Sequence, residues 1–165
     1  MSNPDALPTN PSLAPLMSLL GQAERERDAA LADAQRGRVA HRTAEEQAEQ
    51  LVAYRLDYEA RYRERFSRQS AIEVFQSYQN FLGRLSMAVE QQRQAVEQAA
   101  RRVEALEVTV REQELRVASV RKLLERRLAE LRLATDRREQ KQTDEFASRA
   151  AWNRLAEQRL AASAS

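Results

Sequence analysis

The chain has 165 residues, 27 basic and 25 acidic side chains, a net charge of +2, one histidine and no cysteine. Ala, Leu, Glu, Arg and Lys supply more than half of it, the composition of long helices and coiled coils, and with so few aromatics and glycines a broad layered core is excluded. Without cysteine there is no disulfide framework, thiolate nucleophile or Cys-based zinc site, and His41 alone cannot build a metal or acid–base constellation, so neither an enzyme nor a cofactor is expected.

The four prolines, Pro4, Pro8, Pro11 and Pro15, all fall in the first fifteen residues. Mixed with Ser, Asn and Thr, they predict a flexible, disordered lead-in over residues 1–15. No proline follows, and no β-rich run stands between turn residues, so the expected fold is all-α.

The first helix is expected from about Leu13 or Leu16 to about Phe66, its rod portion being taken as about 16–66. A 4-3 stepping passes through Leu16, Leu20, Ala23, Arg27, Ala30, Ala34, Gly37, His41, Ala44, Ala48, Leu51, Arg55, Tyr58 and Tyr62. Most of these are apolar or small, which makes a coiled-coil seam, though a thin one. Its alanines and Gly37 let a partner helix come near the lower end of the usual ~8–10 Å separation.

A turn is expected at about 67–70. There the first stripe loses its apolar residues, and Ser70-Ala71-Ile72-Glu73 has the spacing of a capping box. The second helix, about 71–160, carries the stronger seam: Phe75, Tyr78, Leu82, Leu85, Val89, Gln92, Val96, Ala99, Val103, Leu106, Val110, Gln113, Val117, Val120 and Leu124. The change of stripe phase favours an antiparallel two-helix hairpin, with a parallel dimer of one long helix as the alternative. A turn centred near residue 68 or 69 makes residue i face roughly residue 137 − i, which sets Leu16 opposite Arg121. The arms are then unequal, leaving about residues 126–160 without a partner from the first helix.

That overhang still carries Leu128, Leu131, Leu133, Phe146, Trp152, Leu155 and Leu160. A lone helix in water depends on covering its apolar face, so these side chains are expected to meet another molecule. Phe146 and Trp152 have the character of protein-binding anchors, self-association in a bundle being the plainer alternative. Residues 121–141 are rich in arginine, but acids are interleaved and no base-reading motif is present, so nucleic acid is not an expected partner. Elsewhere Arg alternates with Glu, as on a solvated helix surface. His41 reads as a structural histidine in the seam, and Gln92 and Gln113 as selectors of register. No apolar run is long enough to cross a bilayer, and no secretory signal is visible. A cytoplasmic monomer is expected, with no membrane insertion.

Three blocks carry a resemblance. Asp144-Glu145-Phe146-Ala147-Ser148-Arg149-Ala150-Ala151 is similar to a run near the C-terminus of the FliJ family of flagellar type III export proteins. Tyr78-Gln79-Asn80-Phe81-Leu82-Gly83-Arg84-Leu85 resembles that family's start of helix two, and Asp57-Tyr58 with Tyr62-Arg63 resembles its end of helix one. The blocks occur in the family's order over about residues 13–152. The inter-helix loop looks shorter than the family's and lacks its glycine, and the chain runs on through Trp152 to Ser165.

The resemblance implies a protein like the central stalk of rotary ATPases. Such a protein inserts its paired termini into the hexameric export ATPase FliI, contacts the cytoplasmic part of the export gate FlhA at its other end, and escorts export chaperones. It would lie at the cytoplasmic face of the inner membrane, at the flagellar export apparatus. Family correspondence would put gate binding on Phe81 and Leu85, with Phe81, one step off the seam, the more exposed of the two. ATPase-ring binding would fall to Arg126, Arg127, Phe146, Arg149 and Trp152. The stalk of a virulence-type injection system and a self-assembling structural coiled coil are the alternatives.

Overall fold

The computed structural model describes residues 11–66 and 72–164, which form two helices and no strand. Helix α1 spans Ala14–Phe66 and α2 spans Ile72–Ser163, 53 and 92 residues respectively. The turn expected at 67–70, the Ser70-Ala71 half of the capping box and residues 1–10 of the lead-in lie outside the described residues.

Local chemistry accounts for the helix ends. Residues 11–13 make a turn, and the Leu13 carbonyl accepts the first helical bond from the Met17 amide at 2.9 Å. Pro15 then sits in the first turn, where its missing N–H has no helical acceptor to satisfy. Helix α1 therefore begins between the two starts expected, Leu13 and Leu16. Arg63 and Arg65 occupy its last turn, and Glu73 the first turn of α2; each charge complements the helix dipole at its end.

Two compact units divide the chain: Gln22–Val117, and Met1–Gly21 with Ala118–Ser165. In the first of these, α1 and α2 pair antiparallel. Phe66 meets Phe75 at 5.9 Å between ring centroids, and Tyr62 meets Tyr78 at 3.4 Å. Further along, Gln92 donates to the Ala44 carbonyl at 3.0 Å and to Gln47 Oε1 at 3.3 Å. Arg38 bonds Glu107 at 2.9 Å, and Arg116 pairs with Glu26. Tyr62 thus stacks on Tyr78 and not on Phe75, so the register runs about one helical turn further along α2 than a simple midpoint rule puts it. In this register Tyr78 stacks on both Tyr58 and Tyr62, contacts that favour it.

The core of this unit is thin. Ala23, Ala30, Ala34 and Gly37 are the buried residues of α1, facing Val103 and Leu106 where Gly37 permits close approach. Leu85 and Val117 are the buried apolar residues contributed by α2. The ion pairs across the helices are exposed, each contributing under about 1 kcal/mol, and fix pairing direction more than stability. In the other unit Leu13 and Val120 are buried, and Leu16, Leu19, Leu20, Leu124, Leu128 and Leu131 half-buried. From residue 132 to 164 every residue is exposed except Ala150. The bare stretch of α2 thus falls for the most part inside the span expected to lack a partner.

Candidate functional site

One candidate surface lies where Phe66 and Phe75 meet. Tyr54, Tyr58, Tyr62 and Phe66 follow one another at helical i, i+4 spacing and so share a side of α1. Phe75, Tyr78 and Phe81 do the same at i, i+3 on α2. The two ladders interleave: Tyr78 stacks on Tyr58 at 5.6 Å as well as on Tyr62, and Tyr62 stacks on Phe66 at 5.3 Å. The Tyr62 phenol oxygen is buried with no hydrogen-bond partner among the described residues. Withdrawal from water holds its pKa above the usual 10.0, with the neighbouring Tyr78 and Tyr58 phenols adding to the rise. Beside the stack runs an open groove of about 650 Å³, lined among others by Tyr54, Asp57, Arg61, Arg65, Phe66, Val74 and Ser77.

Phe81 is half-buried, its ring 4.4 Å from that of Tyr58 and tilted by 50°. It is the more exposed of the pair with Leu85, as expected, and packs across the helix pair on Tyr58. Leu85 is only 7% exposed and belongs to the interior of the hairpin. The side chains that do face water here, Tyr54 and Val74, were not singled out from the sequence. The i, i+4 aromatic ladder was the signal available for the α1 side.

The second surface is the bare part of α2. Phe146 is 77% and Trp152 73% exposed, with Leu133, Leu155 and Leu160 also open to water. Arg126, Arg127 and Arg149 are exposed, and Arg127 pairs with Glu130 at 2.9 Å within one turn. These five ring-binding candidates all lie in the unit containing Ala118–Ser165, Arg126 and Arg127 being separated along α2 from the other three. Among the described residues no cluster of His, Cys, Asp or Glu is arranged to hold a metal ion, and no helix is long and apolar enough to cross a membrane.

The family model of the flagellar FliJ protein matches residues 12–156. The flagellar FliJ protein of Salmonella typhi is 33% identical over 139 residues, covering 82% of this chain and 92% of that protein. The flagellar FliJ protein of Escherichia coli K12 is 33% identical over 108 residues, covering 66% and 74% respectively. The matched span agrees with the resemblance over about residues 13–152 and extends a few residues past Trp152. The aromatic ends of the paired helices and the bare aromatic stretch of α2 both fall inside it: this chain belongs to the flagellar FliJ family.

Proposed function

We propose that this chain is a component of flagellar type III protein export and acts there as the central stalk of the export ATPase FliI. In this reading the bare stretch of α2 enters the hexameric ring, and the aromatic end of the helix pair meets the cytoplasmic part of the gate FlhA. The chain escorts export chaperones and works at the cytoplasmic face of the inner membrane. Family membership supports the flagellar setting. The observation that carries the ring contact is the exposure of Phe146 and Trp152 at 77% and 73%. Large aromatics left in water on a helix have the residue type and desolvation gain of interface anchors. Their surroundings are mixed in charge, which suits a surface that must not lock onto one of several equivalent subunits.

Hydrolysis of ATP by FliI, measured with and without saturating full-length chain, tests this. Stimulation is expected, and most of it should be lost in a Phe146→Ala, Trp152→Ala variant. No stimulation by the unaltered chain at saturation overturns the stalk reading.

A further inference from the structure

We propose that the groove beside Tyr54 and Arg65 receives an acidic peptide segment carrying one apolar side chain. The proposal deepens the reading in which this end of the helix pair meets the export gate, and rests on that reading only for which protein supplies the segment.

The groove has the size of a binding site, about 650 Å³ within the ~300–1,000 Å³ typical of ligand clefts. Its walls mix charged and apolar side chains, and the apolar ones are open to water: Tyr54 is 52% exposed, Val74 56% and Phe66 39%. Tyr, Phe and Arg are the residue types enriched at the centre of protein interfaces, and here they converge from both helices.

Charge selects the occupant. Asp57 holds Arg61 at 3.0 Å, so that cation is already committed. Arg65 lines the same groove, is exposed, and makes no ion pair among the described residues. One guanidinium fork is thus left over beside an apolar wall. A carboxylate satisfies such a fork bidentately. A nucleic-acid strand needs a succession of cations along its backbone, and among the described lining residues one is free, with Asp57 in the same groove. A second copy of this chain, meeting through the same patch about a twofold axis, would bring like charges together without neutralising either. An acidic peptide fits the free charge and the apolar wall at once.

Phe81 and Leu85 then have a different role from direct contact. Phe81 holds Tyr58 from one side at 4.4 Å, while Leu85 is buried in the hairpin. Phe81 is a positioning residue for the aromatic floor, and Tyr54, Arg65 and Val74 do the touching.

The test uses the full chain and a fluorescently labelled short peptide of glutamates around one central phenylalanine, followed by anisotropy. Saturable binding is expected, weakened about tenfold or more by Arg65→Glu and by Val74→Asp while both variants keep the helical circular dichroism of the parent. The counterpart peptide with lysines for glutamates and a single-stranded oligonucleotide should each bind at least tenfold more weakly. The proposal is overturned if the acidic peptide does not bind, if Arg65→Glu binds it as the parent does, or if the lysine peptide or the oligonucleotide binds as tightly. Stimulation of FliI is read separately, so failure of the groove leaves the stalk reading standing, and loss of stimulation leaves the groove intact.

Discussion

A Cβ atom placed on Gly37 would lie 2.8 Å from the Leu106 Cδ1 methyl and 3.6 Å from Val103 on the facing helix. Gly83, in the same unit, has nothing within 4 Å of the corresponding position. Replacing glycine by alanine inside a helix gains about 0.5–1 kcal/mol. Gly83→Ala should therefore deliver that whole gain. Gly37→Ala must also turn a flexible leucine tip aside, at a cost of about 0.5–1.5 kcal/mol, and should come out near neutral. Gly37→Val, which adds bulk that the thin seam cannot absorb, should lose about 1–3 kcal/mol. Urea midpoints of the three variants give the order directly; Gly37→Ala more stable than Gly83→Ala would contradict the close approach.

Gln113 and Gln92 occupy seam positions but are not equivalent. Gln92 places its amide on the Ala44 carbonyl at 3.0 Å, whereas Gln113 Oε1 is buried without a hydrogen-bond partner among the described residues. Leaving a buried acceptor unpaired costs about 1–3 kcal/mol. Gln113→Leu should raise the unfolding free energy by about 1–2 kcal/mol on that ground. Gln92→Leu should gain less, because it gives up a bond made, and should loosen the register that a polar seam residue fixes. Chemical denaturation ranks the pair, and a distance distribution between spin labels at Arg42 and Arg101 should broaden only in the Gln92 variant.

Tyr62 gives the hairpin an alkaline limit. Its pKa is raised in the folded chain, so the folded state holds the phenol proton more tightly than the unfolded state does. The resulting stability is complete below the unfolded value of 10.0 and is lost as pH climbs from there toward the folded pKa. Tyr62→Phe should flatten that decline and also raise the melting midpoint at neutral pH, since it removes a buried hydroxyl that bonds to no described residue. Thermal melts from pH 8 to 11 would show both effects; a Phe variant with the parent's alkaline slope would assign the decline to another group.

Exposure separates the residues whose loss should be felt in folding from those whose loss should be felt only in binding. Leu85 is 7% exposed, and Leu85→Ala should cost about 2–4 kcal/mol, as buried leucine truncations do. Phe146→Ala and Trp152→Ala, at 77% and 73% exposed, should each shift stability by no more than about 0.5 kcal/mol. Any defect of a Leu85 variant in export is then first a folding defect, and thermal melts of the three variants decide it. Trp152, the only tryptophan, should emit as a solvent-exposed indole in the free chain.

Periodicity in the residues alone determined the two helices and their buried stripes. All fourteen seam positions read along α1 are buried or half-buried, and along α2 only Phe75 fails, at 41% exposed. That success has a plain cause: the 3.5-residue repeat is set by helix geometry, which each helix carries locally. The FliJ resemblance was equally local, since its blocks are continuous runs. What only the tertiary structure decided is the register of one helix on the other, because that is a property of neither sequence segment by itself. A shift of about one turn placed Tyr78 on Tyr62, drew Phe81 onto Tyr58, and left Arg65 and Val74 facing one groove. The pairing also leaves the polar atoms of Tyr62 and Gln113 without partners among the described residues. Contacts between side chains on two different helices set such a register, and no pattern within either helix contains them.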